Sequence, residues 1–367
     1  VKFRSYLSNT VLDACLAMGW AQTADDNWDL FWCDTTWARE TYVPSNFPEH
    51  CKICHFPQHY ELTRKDFMAK NLKDLQRRVA KNPELRDDYI DTTFMPATYW
   101  LPHDYGIFVE AFRRQPGSVW IMKPVGSAQG KGIFLIKKLS EILAFKKDTR
   151  FQAPSTAANE APPQQSYIVQ RYLDDPYLIG GKKFDLRLYV LVTAYQPLEC
   201  WTYREGFARF SGFPFSMEDI SNSQVHLTNV AVQKKAEGYD EAKGCKWLMT
   251  QVCRFLEAAH GHEAVQTMVQ DITKLAVTSL RAVQARVPVQ KHCFELYGFD
   301  VLLDARLKPW LIEVNASPSL TADTETDYHL KCNMLQDAFH VLDIEHRRTL
   351  KERRVGNFDL TWQNGPV

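Results

Sequence analysis

The stretch Glu295-Leu-Tyr-Gly-Phe-Asp300-Val-Leu-Leu-Asp304-Ala-Arg-Leu-Lys-Pro309-Trp-Leu-Ile-Glu313-Val-Asn315 holds two apolar runs on either side of a short polar turn. It reads as a β-hairpin. If a loop spans 305 to 308, Asp304 faces Pro309, Asp300 faces Glu313, and Asn315 shares the Glu313 strand face. Two carboxylates and an amide oxygen then converge. Opposed carboxylates repel, so their place between apolar strands calls for a cation that reverses the sign of the interaction. Oxygen donors of this hard type suit Mg²⁺ shared with substrate phosphates. The competing reading, an exposed hairpin with incidental acids, is opposed by the apolar neighbours Val301, Leu302, Leu311, Ile312 and Val314.

Working outward, Lys183-Phe-Asp185-Leu-Arg187 is strand-like and puts three charged side chains on one face by the two-residue period. Alone this could be the wet side of an antiparallel sheet. Beside a Mg²⁺ site, cations for phosphate or for a developing oxyanion account for it better. Upstream, Val119-Trp-Ile-Met-Lys123-Pro124 is a short strand with one lysine, followed by a glycine-rich run through Gly126, Gly130, Lys131 and Gly132. Glycines between two strands suggest a flap whose backbone N–H groups approach anionic oxygens. Gly132 stands where a P-loop needs Ser or Thr, and a strand follows instead of a helix, which excludes Walker-type chemistry. Cys51-Lys-Ile-Cys54-His55 matches the haem-attachment pattern, but without an export signal or a second Cys or His pair it predicts two buried thiols. His260 and His262 are expected on the surface of a helix.

The chain has 367 residues, 45% of them apolar, enough for two or three structural units with a real core. Forty-four basic residues balance forty-four acidic ones, which excludes a general nucleic-acid coat and predicts no nucleic-acid partner. Nine cysteines without dense pairing fit reduced thiols and an intracellular setting. No run approaches the roughly 20 apolar residues of a membrane span, and the first residues lack a signal-peptide core, so no membrane partner is expected. Residues 10 to 34 pair a helical pattern with an aromatic strand at 28 to 32. Residues 62 to 81 form an amphipathic basic helix with Phe67, Leu72, Leu75 and Val79 on one face, either solvated or in contact with an acidic macromolecule. Residues 148 to 166 predict a mobile surface loop. Strands at 167 to 172 and 184 to 193, a helical stretch from about 246 to 287 and a basic segment at 346 to 354 complete an α+β chain.

Several phrases together resemble the tubulin tyrosine ligase-like family of ATP-grasp ligases, and most closely its polyglutamylase branch. They are His59-Tyr-Glu-Leu-Thr-Arg-Lys65, Trp120-Ile-Met-Lys-Pro124, Gln129-Gly-Lys-Gly-Ile-Phe134, Lys183-Phe-Asp-Leu-Arg187, His226-Leu-Thr-Asn229 and Lys308-Pro-Trp-Leu-Ile-Glu-Val-Asn-Ala-Ser-Pro-Ser319. The resemblance implies an N-terminal subdomain (1–65), a central one (66–180), a C-terminal one (181–345) and a basic C-terminal extension (346–367). It implies that Lys123 and Lys183 contact ATP phosphates, that Lys131 and Gly132 belong to the flap, and that Gln170, Arg171, Tyr172 and Leu173 form the adenine-side hinge. Asp185, Thr228 and Asn229 lie near the nucleotide in this reading. Asp300, Glu313 and Asn315 carry Mg²⁺, Arg209 and Lys234 take the carboxylates of an incoming glutamate, and Lys131, Val230 and Ala316 border the same substrate.

The implied reaction is isopeptide formation on tubulin C-terminal tails. ATP phosphorylates the γ-carboxylate of an acceptor glutamate, the amine of free L-glutamate attacks, and Lys123, Glu313 and Arg187 act in catalysis, Arg187 on the tetrahedral oxyanion. Polyglutamylases that elongate commonly carry Tyr and His where this chain has Val230 and Ala316, so initiation and elongation both stay open. Microtubules are the expected partner, with an accessory subunit in some family members. The expected setting is cytoplasm and cytoskeleton, at the axoneme and basal body of a cilium or flagellum. The alternatives are a glycine or tyrosine ligase, a glutamylase of another protein, and a non-catalytic microtubule scaffold.

Overall fold

The computed structural model describes residues 1–85, 87, 89–126, 130–142, 166–234 and 246–367. All but the last residue of the expected loop 148–166 lies outside them, as does Gln129 of the flap. The first sheet is parallel, with β1 (Lys2–Ser5), β2 (Ala21–Gln22), β3 (Leu30–Trp32) and β4 (Lys52–Ile53) in the order β2-β1-β3-β4. Parallel neighbours need crossovers, and here helices supply them. The helix Thr10–Ala17 starts on the Asn9 side chain, and the helix Thr35–Glu40 starts on Asp34, which accepts from the backbone of Thr36 and Trp37.

The second sheet is antiparallel, β5 (Thr98–Leu101), β6 (Trp120–Pro124), β7 (Phe134–Ile136) and β8 (Tyr167–Arg171), in the order β5-β8-β6-β7. Trp120, Met122 and Val169 pack with Phe108 of the helix Tyr105–Arg114 in a core of their own. The third sheet comprises β9 (Leu178–Ile179), β10 (Lys182–Tyr195), β11 (Leu198–Tyr203), β12 (Phe207–Pro214), β13 (Lys246–Leu248), β14 (Glu295–Leu303), β15 (Pro309–Asn315), β16 (Arg354–Val355) and β17 (Phe358–Gln363). The long β10 is its hub, with β12 and β11 along one edge and β14 along the other. First and third sheets share one core: Phe3, Phe31 and Ile53 belong to the same buried cluster as Leu191, Phe294 and Phe339, and Ile53 bridges to Cys293.

Three expectations change. The helical stretch 246 to 287 begins as β13 and then breaks into Met249–His260 and His262–Val283 at Gly261, whose φ of +86° an L side chain avoids. His260 and His262 are exposed on either side of that break. The segment 346–367 is no free extension, because Phe358, Leu360 and Trp362 alternate inward and pair β17 with β11 inside the large sheet. In the helix Lys65–Lys81, Leu72, Leu75 and Val79 are buried with Met68, whereas Phe67 is half-exposed beneath the Arg64 guanidinium, 4.4 Å above its ring. Cys51 and Cys54 are both buried thiols.

Candidate active site

The hairpin is present, and its register explains the site. Gly298 pairs with Asn315, Phe299 with Val314 and Asp300 with Glu313, so the two carboxylates do face each other. Past that point the register shifts by one: Val301 pairs with Leu311 and Leu303 with Pro309, with Ile312 the extra residue of a bulge. Asp304 therefore does not face Pro309. It closes the turn instead, its carboxylate accepting from the Arg306 and Lys308 backbone N–H groups at 2.9 and 3.0 Å and from Trp310 Nε1 at 3.1 Å.

The cation that the opposed carboxylates call for is in part built into the protein. Register places Arg187 of β10 opposite Asp300 of β14, and Asp185 of β10 opposite Arg209 of β12. Arg187 holds Asp300 through two nitrogens at 2.6 and 3.2 Å, Arg209 reaches the same carboxylate at 2.9 Å, and Arg209 also forks onto Asp185. Burial alone would raise the Asp300 carboxyl, but the two guanidinium groups hold it well below the usual range. Lys65 sits 3.2 Å from Glu313. Gly298 makes room for this arrangement, since a Cβ there would lie 2.9 Å from Pro318 and 3.2 Å from Arg187 Cδ.

Two cavities meet at these residues. The first, about 770 Å³ of open cleft between the second and third sheets, has the buried lysines Lys123 and Lys183 on its walls. Lys123 donates to Gln170 Oε1 at 2.7 Å, and Gln170 is oriented by its own donation to Thr98. Lys183 donates to Tyr172 Oη at 3.0 Å and to the His226 carbonyl at 2.9 Å, and lies 4.5 Å over the Tyr172 ring. The Tyr172 hydroxyl in turn meets His226 Nδ1 at 2.9 Å, while His226 Nε2 faces the Asp219 carbonyl. Burial pushes the Lys123 ammonium down to about 8 and that of Lys183 down to about 7. The second cavity, about 1210 Å³, shares Arg209, Asn229 and Glu313 with the first and adds Arg187, Lys234, Lys246 and Lys331. Among the described residues no three His, Cys, Asp or Glu side chains converge on one point.

The description "Tubulin-tyrosine ligase family" belongs to a family model that matches residues 44–350. The chain belongs to that family. It is 46% identical over 395 aligned residues to "Probable tubulin polyglutamylase TTLL9" of Rattus norvegicus, covering 100% of this chain and 85% of that one. To "Probable tubulin polyglutamylase ttll-9" of Caenorhabditis elegans it is 45% identical over 366 residues, covering 99% and 85%. "Probable alpha-tubulin polyglutamylase Ttll1" of Tetrahymena thermophila is 38% identical over 386 residues, covering 99% and 92%. Membership of the tubulin-tyrosine ligase family makes the chain an ATP-using ligase with an α+β fold of the ATP-grasp type.

For a tubulin-tyrosine ligase family member, the expected site residues gather closely. Arg171, Tyr172, Leu173, Asp185, Thr228 and Asn229 line the first cavity with Lys123, Lys183 and Gln170, and Asp300 and Glu313 lie at its inner end. Val230, Lys234 and Asn315 line the second. Lys131, Gly132 and Ala316 line neither. Lys131 is exposed, Gly132 turns against Pro124, and Ala316 alternates outward between Asn315 and Ser317, which do line the second cavity. Arg209 lines both cavities, and its Nε and a terminal nitrogen meet Asp185 while the terminal nitrogen also reaches Asp300. Lys65, which ends the phrase His59–Lys65, carries no sequence signal of a site role. Its side chain is only 11% exposed and meets Glu313.

Proposed function

We propose that the chain is a tubulin polyglutamylase, joining free L-glutamate through an isopeptide bond to the γ-carboxylate of glutamates in tubulin C-terminal tails. The observation that carries this reading is the junction of an ATP-side cleft holding two buried lysines with a second, cation-lined cavity through Glu313, Arg209 and Asn229. A dicarboxylate amino acid suits a pocket with Arg187, Lys234, Lys246 and Lys331 on its walls. The names of the relatives point the same way.

In this reading Lys123 and Lys183 bind the ATP phosphates. Each now donates to neutral oxygens and is only partly charged near neutral pH, so an arriving polyphosphate would complete its protonation. Gln170 and the Tyr172–His226 pair hold the two ammonium groups in place, sparing reorganisation when nucleotide binds. The acceptor γ-carboxylate takes the γ-phosphoryl group of ATP to become an acyl phosphate and ADP leaves. The amine of free glutamate then forms the C–N bond while phosphate departs. Arg187, aimed by Asp300, offers a guanidinium to the tetrahedral oxyanion.

The donors Asp300, Glu313 and Asn315 can all offer oxygen to Mg²⁺, with the two carboxylates opposed in register, but the ion would share Asp300 with Arg187 and Arg209 and Glu313 with Lys65. When bound, the ion would offset phosphate charge as a Lewis acid. Work on the cytoskeleton is the corresponding setting, at the axoneme or basal body, alone or with an accessory subunit. No described helix is long and apolar enough to cross a membrane.

The test is incorporation of labelled glutamate into microtubules with Mg²⁺ and ATP, read by mass spectrometry of the tails against a Glu313→Gln control. Addition of glutamate that the control abolishes is the expected result. Preferred incorporation of glycine or tyrosine would overturn the choice of substrate.

A further inference from the structure

A second line of side chains leads away from the amino-acid cavity into the core shared by the first and third sheets. Glu295, the first residue of β14, is fully buried, and its two oxygens meet His55 Nδ1 at 2.6 Å and the Phe56 backbone N–H at 2.9 Å. That grip fixes the His55 ring with Nδ1–H toward the carboxylate and turns Nε2 to Ser317 Oγ, 3.4 Å away. Ser317 is exposed and lines the second cavity, two residues beyond Asn315. A hydroxyl at a substrate pocket, an imidazole behind it and a carboxylate behind that form the arrangement by which proteins move a proton. Burial lowers the His55 pKa, but the charge and hydrogen bond of Glu295, with Cys33 and Asp34, raise it on balance, so the neutral imidazole is a better proton acceptor than a free one. The neighbouring His59, with Arg39 beyond it, is held down to about 4 by burial, then by those two charges, and stays neutral.

Resting on the polyglutamylase reading, we propose that Ser317, His55 and Glu295 form the exit path for the proton lost by the attacking amine. The ammonium of the bound glutamate passes one proton to Ser317 Oγ while the Ser317 proton passes to His55 Nε2, and Glu295 balances the imidazolium. The freed amine then bonds to the acyl carbon as the C–O bond to phosphate breaks, and the departing phosphate takes both the electron pair of that bond and the second N–H proton. The imidazolium returns its proton to solvent through Ser317 after product leaves. Ser317 touches substrate; His55 and Glu295 act through it as positioning residues. Ser317 needs no nucleophilic role, because the carbonyl is already activated.

The experiment compares two amines in the full chain. Hydroxylamine is neutral near pH 7 and traps an acyl phosphate as hydroxamate without needing a base, whereas glutamate arrives as an ammonium. Ser317→Ala, at an exposed position that spares the fold, and His55→Gln, which keeps a hydrogen bond but takes no proton, are each expected to lower kcat for glutamate about 10²-fold. KM for glutamate and the hydroxamate rate should hold within about twofold. The rise of kcat with pH should vanish in His55→Gln. Equal losses with both amines, or an unchanged kcat in Ser317→Ala, would overturn the relay. No product with either amine from the unaltered chain would overturn the ligase reading and the relay with it.

Discussion

The two cavities meet at the same residues yet treat their cations in opposite ways. In the first cleft Lys123 and Lys183 donate to an amide, a phenol and a peptide carbonyl, and burial draws both down toward neutrality. In the second cavity Arg209 lies between Asp185 and Asp300, Lys246 between Asp323 and Asp327, and Lys331 is 2.8 Å from Asp327. Among the described residues no carboxylate forms an ion pair with either lysine of the first wall, although Asp185, Asp300 and Glu313 line the same cleft, so the two ammonium groups are open to a ligand that brings negative charge. The second is balanced beforehand, so its charges set geometry and discriminate by shape and position more than by net attraction.

The largest effect should come from unbalancing the second wall. Asp300→Ala leaves Arg187 without its carboxylate inside the sheet, and we expect a loss of roughly 3–5 kcal/mol in urea unfolding, with ligase activity gone. A change below about 1 kcal/mol would mean that water or the neighbouring Asp185 already compensates, and the contrast between the walls would fail.

Lys183→Met should do the reverse: ATP affinity falls at least about tenfold, as a charge-assisted phosphate contact is worth ~1.5–3 kcal/mol, while stability holds or rises. The pH dependence follows from its direction. The folded pKa of Lys183, about 7, lies below the ordinary lysine value of 10.5, so between them the unfolded chain binds more protons and stability contributed by this group rises with pH. Below about pH 7 both states are protonated and that slope disappears. Urea midpoints should therefore show the unaltered chain closing on the Met variant as pH goes from 7 to 9. A constant gap would contradict the depressed lysine.

A smaller effect sharpens the same contrast. Nucleotide binding at pH 8 should take up a fraction of a proton to about one, seen as heats that differ between buffers of unlike ionisation enthalpy, and the uptake should fade toward pH 6. Identical heats at pH 8 would place full charges on both lysines before ATP arrives.

Much of this site could be read from the chain, and the exceptions have causes. The pairing of Asp300 with Glu313 followed from alternation and a short turn, which are local. The slip at Ile312 did not, because a bulge is set by how β15 must bend against its neighbours, and no residue type there announces it. Asp185 and Arg209 lie 24 residues apart, and only the β10–β12 register makes them partners, so Arg209 read as a ligand for substrate. The strand β17 is legible in the alternation of Phe358, Leu360 and Trp362, a period that the basic run before it masks. His55 lies within a cysteine motif that masks its role, and its partner Glu295 is 240 residues away.

A third class of cation shows what neither cavity does. Lys70, Arg77, Arg78 and Lys81 on the helix Lys65–Lys81 are exposed, whereas Lys73 is turned onto Asp104 at 3.4 Å and the Tyr99 ring at 5.0 Å and belongs to the packing. Replacing the four exposed residues with Glu should leave urea stability within about 0.5 kcal/mol, since such charges are solvated. Microtubule binding should weaken several-fold at low salt. The difference should shrink near 0.15 M, where screening acts over ~8 Å. Equal binding at both salts would leave the helix as a solvated face, and tail capture would then have to come from contacts outside it.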